Sequence, residues 1–98
     1  MSHSQAVTLA SNVDAAGTGA WVFYPGGAGA IISQASSYGT TINVEMKGPD
    51  GNPIVINSAT IGADAVAGYD YLPAGEYRYT ATGGTTTDLY IVIARVPQ

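Results

Sequence analysis

Cysteine is absent from this chain of 98 residues, so neither a disulfide framework nor a thiolate metal site can reinforce a thin core. Charge is scarce: Asp, Glu, Lys and Arg make up 10 % of the residues, against about 25 % in ordinary soluble domains. Only Lys47, Arg78 and Arg95 are basic. Three cations are too few to neutralise a phosphate backbone or an anionic bilayer, so no nucleic acid and no membrane is expected as a partner. No apolar run approaches the ~20 residues of a membrane helix. The opening residues 1–11 lack the basic region and long apolar stretch of a secretory signal, so synthesis in a cytoplasm is expected.

The residues that carry chemistry are also missing. The single histidine, His3, falls in a terminal segment expected to be mobile. General acid–base work at neutral pH calls for a histidine or a carboxylate pair held in a cleft. Ser33, Ser36, Ser37 and Ser58 have no base that the sequence can nominate and no strand–turn–helix elbow to present them. The run Pro25-Gly26-Gly27-Ala28-Gly29-Ala30 lacks the Lys-Ser/Thr ending of a phosphate loop. Asp64 and Asp70 could face together, but no calcium-loop spacing accompanies them, and a solvated strand face is the better reading. No catalytic, cofactor-binding or metal-binding residue is assigned, no cofactor is expected, and the chain is not expected to be an enzyme.

What is present is strand and turn chemistry. Thirteen glycines, five prolines and ten threonines accompany period-2 alternation, and no segment shows helical periodicity. Residues 5–10 read as a weak strand, 11–19 as a loop, and 20–24 as a short apolar strand that stops at Pro25-Gly26-Gly27. Residues 28–34 form the next strand. In 40–47, Ile42, Val44 and Met46 alternate with Asn43, Glu45 and Lys47. Asp50-Gly51, bounded by Pro49 and Pro53, predicts a hairpin loop into residues 54–57. Residues 64–71 form a weaker strand, and Leu72-Pro73-Ala74-Gly75 turns into 76–82. Gly83-Gly84 reads as another turn before a last strand, 86–96, which is apolar on both faces; such a strand is central between layers or lies at an interface. The expectation is one all-β domain over residues 1–98, with about eight short antiparallel strands in a β-sandwich or jelly-roll.

A surface this poor in charge loses little on desolvation, which suits a protein that spends its life against neighbours. Tyr and Trp combine a large apolar body with a polar tip. Trp21, Phe23, Tyr77 and Tyr79 are expected in the core, whereas Tyr38, Tyr69 and Tyr71 are candidate partner contacts. Residues 1–19 lack strong alternation and are read as an extended docking arm, with Val7 and Leu9 as its contact residues. The alternative makes residues 5–10 an ordinary edge strand of the domain's own sandwich.

From Gly39 to Val96 the pattern TTINVEMKGPDGNPIVI, then AGYDYLPAGEYRYTATGGTTTDLYIVIARV, resembles a module of tailed-phage structural proteins. A strand ends in a GPDG hairpin, an LPAGxYR turn opens the penultimate strand, and an LY…RV strand closes the chain. The resemblance is to small capsid decoration, or cement, proteins and related virion accessory proteins. It implies a non-enzymatic virion protein on the capsid surface, made in the host cytoplasm. Its implied partners are a major capsid protein or other virion protein and further copies of itself, a homotrimer being favoured. A carbohydrate- or receptor-binding β-sandwich module of a phage tail or bacterial surface is the alternative; it would need coplanar aromatic rings open to solvent.

Overall fold

The computed structural model describes residues 5–95, without the side chains of residues 5 and 57–59. The readings of His3, Ser58 and Val96 therefore lie outside the described residues. Seven strands follow one another and no helix occurs among the described residues: β1 (Gln5–Thr18), β2 (Val22–Tyr24), β3 (Gly27–Gln34), β4 (Ile42–Lys47), β5 (Pro53–Ile61), β6 (Ala65–Leu72) and β7 (Gly75–Arg95). All pairings are antiparallel. The expected all-β class is what forms, and because β7 bends midway the strand runs number about eight.

The last strand organises the rest. The sheet runs β5-β4-β7-β3-β6, with β1 and β2 on the far side of β7. The first half of β7 lies between β4 on one side and β2 with the end of β1 on the other, and its second half lies between β3 and β1. Two layers result, β5-β4-β7-β2 and β6-β3-β7-β1, joined by a strand they share. Ile42, Val44 and Tyr77 from the first layer pack in one cluster with Leu9, Ile31, Leu89, Ile91 and Ile93 from the second. The shortest dimension of the molecule, 20 Å, fits two sheets stacked ~10 Å apart with their outer side chains.

Alternation in the sequence becomes burial in the layers. Ile42 and Val44 are fully buried while Asn43 and Glu45 are not, and Tyr77 and Ala81 are buried while Arg78 and Thr80 are not. In the second half of β7, Leu89, Ile91 and Ile93 are sealed in the core, each contributing about 1.5–3 kcal/mol by leaving water. Tyr90, Val92 and Ala94 alternate with them and point to the other side. The core accounts for one apolar face of β7, while Tyr90, Val92 and Ala94 line its outer face and are not sealed between layers.

Several expected turns are bends instead. Strand β7 continues through Gly83-Gly84, where Gly83 has φ +107°. A Cβ on Gly84 would overlap the Gly39 carbonyl, and one on Gly39 would overlap the Thr85 carbonyl. These glycines serve a close backbone approach between β7 and the chain leading into β4, one of the uses of glycine within a sheet. Ser37 bridges to Thr87 across the same corner, and the Thr40 hydroxyl donates to the Thr82 carbonyl. At the other corner Tyr24 stands opposite Gly75 and Gly27 opposite Leu72. The two chains keep step across Pro25-Gly26 and Pro73-Ala74, passing side by side from one layer to the other. Tyr24 and Tyr77 pin this corner, edge to face with centroids 5.7 Å apart, and the Tyr77 hydroxyl donates to the Pro73 carbonyl at 2.6 Å. A true reversal occurs at Gly48–Asn52, as expected: Gly51 has φ +90°, its N–H reaches the Gly48 carbonyl, and the Asp50 carboxylate accepts the Asn52 N–H.

The N-terminal stretch corrects the reading of a docking arm and a loop. Residues 5–18 are one strand paired with β7 along its length, with Leu9, Ala10 and Ala15 buried. Four register shifts interrupt the ladder and Asn12 has φ 54°. Each bulge resets which face a residue meets, so the period-2 signal is erased although the backbone pairing persists.

Candidate functional site

The two layers present outer faces of opposite character. On the β5-β4-β7-β2 layer the charges are gathered and paired. Arg78 donates to Glu45 at 3.0 Å, Thr80 donates to the same carboxylate oxygen at 2.7 Å, and Lys47 meets Glu76 at 3.4 Å. The Trp21 ring lies under the Arg78 guanidinium at 4.3 Å and within 5.5 Å of the Lys47 ammonium. Both distances are in the range where a cation is held by the aromatic quadrupole. Phe23, opposite Glu76 in the ladder, is 63 % exposed at the margin of this cluster.

The outer face of the β6-β3-β7-β1 layer carries no charge along its paired rows. Cross-strand pairing sets Gly68, Ala30, Ala94 and Ala6 in one row and Val66, Ile32, Val92 and Thr8 in the next; Gln34 and Tyr90 form a third pair. Val66 is 70 % exposed and Ile32 38 %. One row of small side chains and a neighbouring row of β-branched ones make a flat, weakly hydrated surface four strands wide. Directly opposed residues in a ladder share a face, which is why residues far apart in sequence converge here.

A shallow hollow of about 430 Å³ at the edge of this face is lined by Asn12, Gln34, Ala35, Ser36, Asp88 and Tyr90. Asn12 and Asp88 both have φ 54°, a left-handed conformation that Asn and Asp tolerate better than other side chains. The Ser36 hydroxyl donates to Asp88 at 2.8 Å, and the Asp88 N–H donates to Asp14 at 3.2 Å. These polar groups satisfy one another and lock two facing bulges. Among the described residues no group of three or more His, Cys, Asp or Glu is arranged to hold a metal ion.

The candidate contact residues do not converge. Leu9 is buried and Val7 packs against the core from β1. Tyr38 and Tyr69 are half-buried against the same cluster. The Tyr38 hydroxyl donates to Asp64 at 3.0 Å, and burial pushes its pKa up. The Asp64 carboxylate also accepts the Ala35 N–H at 3.0 Å, fixing the link from β3 onto the β5–β6 turn. Tyr71 is 69 % exposed, on the edge strand β6. Trp21 and Phe23, expected in the core, lie on the charged outer face, because residues 20–24 contribute only Val22 and Tyr24 inward.

The uncharged face was not named from the sequence. Ile32, Val66 and Val92 sit in three separate strands, and only the cross-strand register shows that they form a row. The scarcity of charge was the one signal for it, and that signal has no position. Comparison with protein-family models, curated proteins and solved structures finds no match.

Proposed function

We propose that this chain is a non-enzymatic structural protein that works by covering and being covered. Its uncharged β6-β3-β7-β1 face docks on another protein of an assembly, in the specific reading a capsid lattice that it decorates and reinforces. The observation that carries the proposal is that face: two full rows across four strands without a charged side chain. A surface of this kind gives up little hydration when it is buried, whereas the opposite face would have to break ion pairs and cation–π contacts. The resemblance of residues 39–96 to phage decoration proteins supplies the capsid part of the reading, with the virion surface as location and a major capsid protein as partner.

The sugar-binding alternative has less support. Phe23, Tyr71 and Tyr90 are the exposed rings among the described residues. They lie on the charged face, on an edge strand and on the uncharged face, so they form no common platform, and the Trp21 ring is already engaged by cations.

The test is co-sedimentation with empty shells assembled from the coat protein encoded beside this chain's gene. Wild-type protein is expected to pellet with the shells, and Ile32→Glu combined with Val92→Glu to stay in the supernatant with an unchanged β-sheet spectrum. A neighbourhood without a coat gene, or binding indifferent to the paired substitution, would defeat the reading.

A further inference from the structure

An aspartate is chemically most vulnerable where glycine follows it. The glycine amide nitrogen has no side chain beside it and its backbone turns freely, so it can attack the carbon of the aspartate side-chain carboxyl. The new C–N bond closes a five-membered imide, and the carboxyl hydroxyl leaves with the amide proton as water. Water then opens the ring at either carbonyl. One product is aspartate again; the other is isoaspartate, in which the backbone runs through the former side chain and is one methylene longer. No further reactant is needed. Asp50 is the one Asp or Asn of the chain that precedes a glycine.

The hairpin tip obstructs each part of that step. Attack needs a neutral carboxyl, because a carboxylate has no hydroxyl to lose. Both oxygens of Asp50 are instead held as acceptors by Asn52: Oδ1 by its backbone N–H at 3.0 Å and Oδ2 by its side-chain amide at 3.2 Å. The backbone bond first, and then the side-chain bond, keep the Asp50 carboxyl below its usual pKa, since both favour the charged form. Attack also needs the Gly51 nitrogen to give up its proton, and that proton is donated to the Gly48 carbonyl at 2.9 Å. The Gly48 N–H closes the loop on the Asn52 carbonyl at 2.8 Å. All four bonds lie within residues 48–52, and Asp50, Gly51 and Asn52 are exposed. They can therefore break together in a local opening, far more easily than the sandwich unfolds.

We propose that Asp50-Gly51 is a site of spontaneous isomerisation that its own turn latches shut, and that reacts when the tip opens. Isoaspartate there would lengthen the reversal between β4 and β5 and move the free carboxylate onto the α-carbon, so the two bonds from Asn52 would be lost. The test incubates the full chain in mildly acidic buffer, folded and in guanidinium, and reads isoaspartate at position 50 by peptide mapping with electron-transfer fragmentation. Isoaspartate is expected to accumulate in guanidinium and several-fold more slowly in the folded chain. Asn52→Ala removes the bond to Oδ2 and keeps the backbone bonds. It should speed the reaction in the folded chain, with an unchanged β-sheet spectrum, and leave the rate in guanidinium as it was. A folded chain that reacts as fast as the unfolded one or faster, or an Asn52→Ala variant that reacts no faster than wild type when folded, would overturn the proposal.

Discussion

Glycine residues that look alike in the sequence have opposite roles once their neighbours are known. Gly39 and Gly84 touch backbone across a corner, so a methyl group at either must push two chains apart. Gly39→Ala is expected to cost about 1–3 kcal/mol, in the range of overpacked sites. That corresponds to a lowering of the melting temperature by some 4–8 °C per kcal/mol in a domain of this size. Gly68→Ala, in open space, is expected to leave stability unchanged or raise it by up to about 1 kcal/mol through the unfolded chain. Thermal denaturation of the two variants side by side checks both. Tyr77 gives the pH-dependent counterpart. Burial, and then the neighbouring Tyr24 and Tyr71 phenols, push its pKa from 10.0 up to about 12. The folded state holds the phenolic proton more tightly than the unfolded state, so this contribution is complete below pH 10 and is lost as pH rises towards 12. The melting temperature should fall across that window, and Tyr77→Phe should flatten the fall while lowering stability throughout, since it removes the hydrogen bond to Pro73.

Strands differ in what their removal would do, and β1 shows this most clearly. Its sequence has weak alternation, yet it lines β7 and sends Leu9, Ala10 and Ala15 into the core. Leu9→Ala is expected to cost about 2–5 kcal/mol, as buried leucines do, and deletion of residues 1–12 to abolish the cooperative transition rather than leave a stable truncated sandwich. Calorimetry of both decides. The β4–β5 hairpin is the opposite case. Asp50, Gly51 and Asn52 are exposed and their hydrogen bonds are local to the loop. A short insertion between Asp50 and Gly51 should change the melting temperature by only a few degrees, because lengthening a surface loop costs little entropy.

The whole molecule hangs on its final strand. Both layers include β7, so neither can unfold while the other keeps its neighbours, and heat and denaturant should give one coincident transition by every probe. Chains ending before residue 84 should show no folded population in far-UV spectra or hydrogen exchange, because β1 and β3 would lose the strand between them. The two outer faces divide the surface in the same way: one holds its charges in mutual contacts, and the other has two rows across four strands without charge, with the exposed Asp70 beside them. The proposed docking uses the face of the second layer, and the proposed isomerisation site lies on the β4–β5 hairpin of the first.

The fold class was written in the sequence because turn residues, β-formers and period-2 alternation are local properties. Ile42, Val44, Tyr77, Ile91 and Ile93 announce their burial within a few residues of chain, and Asp50-Gly51 announces its reversal. Local signals could not tell a reversal from a bend. Gly83-Gly84 and Pro25-Gly26-Gly27 have turn chemistry, but the chain bends at both without reversing: β7 runs on through the first, and the pairs Tyr24–Gly75 and Gly27–Leu72 keep two chains in step across the second. Nor could they show that residues 11–18 continue a strand, since bulges erase the alternation while hydrogen bonds to β7 keep the pairing. The uncharged face was beyond reach for the same reason. It is a relation among residues in different strands, set by register, and register is decided only when the layers close on a common core.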